Sequence, residues 1–437
     1  MNANLSPILA VGLLVVLFAT SALVLLVRGD LAANAGRTGV LSGGGQIFLG
    51  AALGIGVIAF SLKLAIILAL SSFPDQTIAP LLSDPSTKIR PDAAWEAPLP
   101  PPFSWQTLPA RAPDPIGNPT TSAKVALGAR LFHDTALSWD RTVSCASCHD
   151  VTGAGTDGLA TAIGITRVAG KRNAPTVWNA AFQAKLFWDG RARSLEEQAG
   201  GPPLTPDEMG MPSATAIEQR VAAEPGYAAH FAQAFGDGAI TMEHITQAIA
   251  AYERTLIAAD SPYDRFVTGD AKSLSEQQQR GMALFKAVGC VMCHSGPNFS
   301  GASLVGAKNP YAPLLASRSD IARSHGLGVE KGRAAPDAKD GVWRIPSLRN
   351  VALTAPYFHN GSVTDLAEAV RVMATAQLGA TLSDDPVLAA HRPQWSAEIG
   401  GLVIDGPLVL ASADVADLVA FLRSLSSDTL LRRVERR

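Results

Sequence analysis

All four cysteines in the 437 residues sit in one short frame. Cys145 and Cys148 are followed directly by His149, and Cys290 and Cys293 directly by His294. Three chemistries use cysteines paired this way. A four-cysteine zinc site spaces its pairs by roughly 15–20 residues, whereas these pairs lie about 140 apart. Zinc also has no need of a histidine directly after each pair. A thioredoxin-like redox pair needs a βαβ setting, and none is visible. Attachment of c-type haem uses the whole frame: each thiol adds to a haem vinyl group, and the adjacent histidine becomes an axial iron ligand. Two copies, with no cysteine left for a structural disulfide, point to two covalently bound c-type haems.

The elements that would position these motifs come in matching sets. Gly128-Ala-Arg-Leu-Phe132 precedes the first motif and Gly281-Met-Ala-Leu-Phe285 the second, each reading as a helix whose aromatic packs behind a haem. Met242, Ile245, Ile249, Tyr252 and Leu256 recur at helical spacing, as do Val415, Leu418, Val419 and Leu422, with Ser412 as the N-cap. A glycine on the first helix of each set allows the last helix to cross closely. Strand signals are few. The expected fold is mainly α-helical with long loops: two cytochrome c-like haem domains, residues 121–268 and 269–437.

The N-terminal quarter reads differently. Ser6 to Val27 carries no charge and is long enough to cross about 30 Å of hydrocarbon as a helix. A second apolar run, residues 47–70, is broken only by Lys63. Arg28 and Arg37 lie between them with one acid, Asp30, which makes that loop cytoplasmic by the positive-inside rule. Residues 1–74 are thus expected to be a membrane anchor of two transmembrane helices, 6–27 and 47–70. The rest then lies in the periplasm of a bacterial inner membrane, where c-type haems are attached. Reading the second run as a cleaved signal peptide leaves the apolar residues before Lys63 unexplained. Residues 75–120, rich in proline, read as an extended tether. A formal net charge of −2 gives no footing for nucleic acid.

Residues 131–149, from Leu131-Phe-His-Asp to Ser-Cys-His149, resemble the bacterial di-haem cytochrome c peroxidases and their MauG-type relatives. So do Arg172-Asn-Ala-Pro-Thr176, Phe187-Trp-Asp-Gly-Arg-Ala192, Leu195-Glu-Glu-Gln198, Glu208-Met209 and Leu348-Arg-Asn-Val-Ala-Leu-Thr-Ala-Pro-Tyr-Phe-His-Asn-Gly361. The resemblance covers residues 121–427. It implies that the haem on Cys145, Cys148 and His149 reacts with hydrogen peroxide. The haem on Cys290, Cys293 and His294 then takes electrons from a small cytochrome c or the quinol pool. It places Trp188 between the haems and Gln198 and Glu208 over the peroxidatic iron. It also implies a calcium ion held by Asn173 and the carbonyls of Thr354 and Pro356. Many relatives dimerise, so a homodimer is an expectation of the same kind.

Two features divide the relatives. Met373, in Val370-Arg-Val-Met-Ala374, matches the methionine that peroxidases use as second axial ligand where the MauG-type oxidase uses tyrosine. A thioether favours ferrous iron and raises the potential. Residues 150–171 contain no histidine and no methionine, so the first iron is expected to stay open to peroxide when fully oxidised, as in MauG-type enzymes. The leading expectation is a membrane-anchored di-haem peroxidase. The rivals are a MauG-type enzyme oxidising tryptophan or tyrosine of a partner protein, and a non-catalytic electron carrier. Glu208 is the candidate proton carrier, its alternative reading being a surface or capping acid beside Asp207. His359 is expected to hydrogen-bond near the second haem rather than to bind iron.

Overall fold

The helix Ser122–His133 begins where Thr121 accepts a hydrogen bond from the Lys124 N–H, and it buries Leu127, Leu131 and Phe132. It crosses Met242–Glu253 at Gly128, where a β-carbon would land 1.9 Å from the Ala248 carbonyl oxygen and 2.9 Å from Tyr252 Cβ. Glu276–Ala287 crosses Ser412–Ser424 in the same way. A β-carbon on Gly281 would land 1.9 Å from the Asp417 oxygen and 2.9 Å from Phe421 Cβ. Only glycine lets two backbones approach this closely. The computed structural model describes residues 103–305, 309–396 and 401–436. The runs 6–27 and 47–70 lie outside them, as does the tether up to Pro102; among the described residues no helix is long and apolar enough to cross a membrane.

Strands are few. Tyr311–Leu314 pairs antiparallel with Gly341–Arg344, Thr381–Leu382 parallel with Val409–Leu410, and Gln394–Ser396 antiparallel with Gly401–Val403. The last two pairs form the segment around 379–410. Two main apolar cores divide the chain, one running from Leu127 to Ala258 and the other from Tyr263 to Leu425. The helix Asp428–Val434 then returns to the first core, where Leu430 is fully buried and Arg433 lies 5.2 Å over Trp178.

Two expectations need correction. Ser412 is not the N-cap; Ala411 holds that place, and Asp414 accepts its backbone N–H at 2.8 Å. Ser412 instead donates its own N–H and hydroxyl to Asp384. Asp384, from the preceding segment, thus takes the first N–H of the helix, and Asp414 takes the N–H of its cap residue. Nor is the whole of 75–120 a free tether. Trp105 packs against Phe421 at 5.7 Å and Tyr263 at 6.1 Å, and Gln106 exchanges hydrogen bonds of 3.1 Å with the Tyr263 hydroxyl.

A second repeat lies in the loops, at a constant offset. Asn179 and Asn350 both take left-handed backbone, φ 63° and 62°, before single 3-10 turns. Phe187 and Phe358 do the same, φ 64° and 68°, inside the matching bridges Leu186–Ala192 and Tyr357–Val363. The two copies bond to each other reciprocally. The Arg344 N–H donates to the Trp188 carbonyl at 2.9 Å and the Asn173 N–H to the His359 carbonyl at 2.8 Å. Trp188 and His359 are therefore counterparts about a local pseudo-twofold axis.

Candidate di-haem site

Ser144 starts the single helical turn Cys145–Cys148, its N–H tied to the Ser147 hydroxyl at 2.9 Å. The turn closes with the His149 N–H on the Cys145 carbonyl at 2.9 Å. The second motif makes the same 2.9 Å bond from His294 to Cys290, entered through Gly289 at φ 95°. Each motif thus presents two thiols and an imidazole from one tight turn. None of the four cysteines is in a disulfide, and burial holds Cys145 and Cys290 as neutral thiols, their pKa pushed up to about 12.

The imidazoles are poised as ligands. The Nδ1 of His294 meets the Phe299 carbonyl at 3.0 Å, which fixes the proton there and leaves Nε2 free to bind metal. The Nδ1 of His149 is buried without a hydrogen-bond partner. Burial pushes both rings below the ordinary histidine range, so both are neutral, as an axial ligand must be. The carbonyls of Gly155 and Pro175 oppose this at His149, those of Phe299 and Pro346 at His294. A cavity of ≈ 280 Å³ opens beside the second motif, bordered by Cys290, Cys293, His294 and Met373, with mostly apolar walls. Among the described residues, no three His, Cys, Asp or Glu side chains gather into a self-sufficient metal cluster. Free thiols, a neutral histidine with one nitrogen to give, and an apolar chamber fit a covalently held haem at the second motif. The first motif repeats the thiols and the histidine.

The other expected residues fall into two groups. Trp188, Asn173, Thr354 and Pro356 all border the cavity of the second motif, and so does His359. The Trp188 indole N–H donates to the Asn173 carbonyl at 2.8 Å. Two residues further on, the Pro175 carbonyl faces His149. His359 stacks on Trp343 at 3.9 Å, and burial with Arg172 nearby lowers its pKa to about 4.

Glu208 stands on the side of the first motif, close enough for its charge to raise the Cys148 thiol. Its backbone is clasped by the loop after that motif: the Ile165 N–H donates to its carbonyl at 2.9 Å, and a β-carbon on Gly164 would lie 2.4 Å from the same oxygen. Glu208 is an exposed residue by its surface area. The protein around it still pushes the carboxyl above the usual range by desolvation, with Asp207 adding to the shift and Arg191 opposing it. Gln198 is half-buried on the helix Leu195–Ala199, and no hydrogen bond among the described residues joins its side chain to Glu208.

Two carboxyls escaped the sequence reading. Asp157, raised by burial, leaves one buried oxygen without a partner and lies in charge contact with His149 and Cys148. Glu253 is 4% exposed and likewise leaves one oxygen without a partner. Its signal was there: it follows Ile249 by four residues and so falls on the apolar stripe of its helix.

Comparison with known proteins agrees with this geometry. The family model for di-haem cytochrome c peroxidase matches residues 122–272. The chain is 42% identical over 277 residues to cytochrome c peroxidase Ccp of Escherichia coli, spanning 63% of this chain and 58% of that protein. Over 291 residues it is 38% identical to cytochrome c551 peroxidase of Pseudomonas aeruginosa, spanning 65% of this chain and 81% of that one. Its backbone superposes on the crystal structure of a MauG-like protein associated with microbial copper homeostasis with a TM-score of 0.58. The two are 30% identical, over 76% of this chain and 99% of the other. The chain belongs to the di-haem cytochrome c peroxidase and MauG family, and it is an oxidoreductase of the cytochrome c peroxidase class.

Proposed function

We propose that this protein reduces hydrogen peroxide to water at its first haem, with electrons that enter at the second. The observation that carries this is the second cavity, where His294, Met373 and Trp188 border one chamber. Each c-type haem, when bound, supplies an iron that holds or passes one electron, and the first offers an open position for peroxide. Cys145, Cys148 and His149 would hold the first haem, and Cys290, Cys293, His294 and Met373 the second. The Met373 thioether favours reduced iron and so makes the second site the acceptor for a small cytochrome or for quinol electrons. Glu208 takes a proton from one peroxide oxygen and returns it to the other. Its carboxyl, raised by partial desolvation, holds that proton more firmly than an ordinary glutamate would. Gln198, by the family resemblance, would supply an amide beside it. Trp188 bridges the sites.

The oxygen donors of Asn173, Thr354 and Pro356 suit calcium, a hard cation, at the junction of the two halves. The apolar runs 6–27 and 47–70, with Arg28 and Arg37 between them, support anchoring in a bacterial inner membrane with the haems in the periplasm. The proline-rich residues up to Pro102 then act as the tether.

The test is peroxide consumption by the haem-loaded, fully ferric protein with a pre-reduced small cytochrome c as donor. Turnover from the first mixing, without prior reduction, is expected, because residues 150–171 offer no histidine or methionine to close the first iron. The same feature favours one rival. If peroxide instead yields a persistent oxidised species that the donor scarcely drains, the protein is a MauG-type enzyme acting on a partner's tryptophan or tyrosine.

A further inference from the structure

The repeat places unlike residues at one matching helix position of the two halves. In the second half, Leu418 and Leu422 of the helix Ser412–Ser424 border the cavity together with Cys290. The matching helix in the first half is Met242–Glu253, and the glycine crossings set the register between them. Gly128 meets Ala248 and Tyr252 where Gly281 meets Asp417 and Phe421. In that register Ile249 answers to Leu418, and Glu253 answers to Leu422. A carboxyl group thus stands in the first half where the second has an aliphatic wall.

The carboxyl is not held by a structural ion pair. Glu253 is 4% exposed, and its Oε2 has no hydrogen-bond partner. The neighbouring cation is engaged elsewhere: Arg254 donates from Nη2 to Glu196 at 2.6 Å, and its Nη1 is itself buried without a partner. Glu196 also accepts from Asn118, which in turn binds Lys124. The groups facing Glu253 are therefore Arg254 and Tyr252 on its own helix, Glu196 from Leu195–Ala199, and Cys145 from the first motif. Lys124, on the helix Ser122–His133, stands behind Arg254, and Arg433 of the last helix faces Tyr252. The ionised carboxyl is close enough to raise the Cys145 thiol. An unpartnered buried polar oxygen is costly, and a lone carboxylate more so. Such a group persists where a bound group or a changing charge answers it.

We propose that Glu253 is a positioning residue of the first haem alone, a carboxyl on its chamber wall that takes up a proton when that haem is reduced. One electron, delivered by the donor through the second haem, reduces the first iron from ferric to ferrous. One proton passes from solvent to the Glu253 carboxylate, so the chamber's net charge is unchanged. The second haem, facing Leu422, has no such partner, and its potential is free of this link. Burial already raises the Glu253 carboxyl to about 8, which puts the linkage in mildly alkaline solution.

The inference rests on haem attachment at Cys145 and Cys148, not on peroxidase chemistry. Haem content per chain, measured first, tells failure of that attachment apart from failure of the linkage. The experiment is spectroelectrochemical titration of both haems in the loaded full-length protein from pH 6 to 10. Met373→Ala shifts the second haem and so identifies it. In the wild-type protein the first haem's potential should fall as pH rises, by up to about 59 mV per tenfold drop in proton activity for a one-electron couple. The second should stay flat over that window. In Glu253→Gln, and in Glu253→Leu, which copies the second chamber, the slope should vanish and the first potential should rise at the alkaline end. A flat wild-type profile for the first haem overturns the proposal even if a variant fails to load. So does a slope that survives Glu253→Gln in a protein carrying two haems.

Discussion

Glu208 and Met373 show what a single residue contributes here. Glu208 must be ionised to accept a proton, and desolvation makes ionisation harder. Its folded pKa lies above its unfolded value, so the carboxylate is present above the raised pKa and is lost as pH falls through it. Peroxide turnover should therefore decline on the acid side at a higher pH than an ordinary glutamate would give. Glu208→Gln should lower turnover by roughly 10²–10⁴-fold and leave haem content intact; unchanged turnover would remove Glu208 from the chemistry. Met373→Ala should lower the potential of the second haem, since the loss of a thioether ligand disfavours ferrous iron. Potentiometry on the loaded protein checks this, and an unmoved potential would mean that another group ligates that iron. Both residues rest on the family resemblance, whereas the two Cys-x-x-Cys-His frames were legible on their own because their chemistry is tied to a rare side chain at fixed spacing. Asp157 carried no such mark, because an acid in a loop shows nothing of its burial, and Glu253 was marked only by its place on the apolar stripe of its helix.

At the scale of elements, the helices were legible and their ends were not. The apolar stripes of Met242–Glu253 and Ser412–Ser424 follow from helical spacing alone. So does the close crossing, since a glycine before an apolar turn leaves room for another backbone. The cap at Ala411 is closed by Asp414 three residues on, while Ser412, the expected cap, is held by Asp384, a residue from outside the helix that no local pattern contains. The loop repeat about Trp188 and His359 was hidden for a related reason: it is carried by backbone torsions and reciprocal N–H to carbonyl bonds, not by side-chain periodicity. The crossings make a sharp prediction. A methyl on Gly281 would sit 1.9 Å from the Asp417 oxygen, which no rotamer can relieve. Gly281→Ala should cost about 1–3 kcal/mol or more in a thermal or denaturant melt. Gly117→Ala, with nothing within 4 Å of the added carbon, should be close to neutral. Equal melting of the two variants would contradict the crossing geometry.

At the scale of the whole described chain, the two halves are completed by each other's ends. Trp105 precedes the first half in sequence yet packs into the second core with Tyr263, Phe299 and Phe421. The chain then runs back to the first half, where Asn118 binds Glu196 and the Gln247 carbonyl. Leu430, last in sequence, is buried in the first core, and Asp260 grips the start of its helix through Ser427 and Thr429. The buried pair Arg349–Asp264, at 2.8 Å, adds a tie to Gln106 through the same guanidinium. Neither core is closed without a segment from the far side of the other. The halves should therefore unfold as one unit, although the sequence reads as two repeated domains. Calorimetry of the loaded protein should show one transition whose van't Hoff and calorimetric enthalpies agree. Trp105→Ala acts on the second core and Leu430→Ala on the first, each removing about 2–5 kcal/mol of packing. Both should lower that single transition. Two resolved transitions, each moved by only one of the substitutions, would show that the shared ends do not couple the halves.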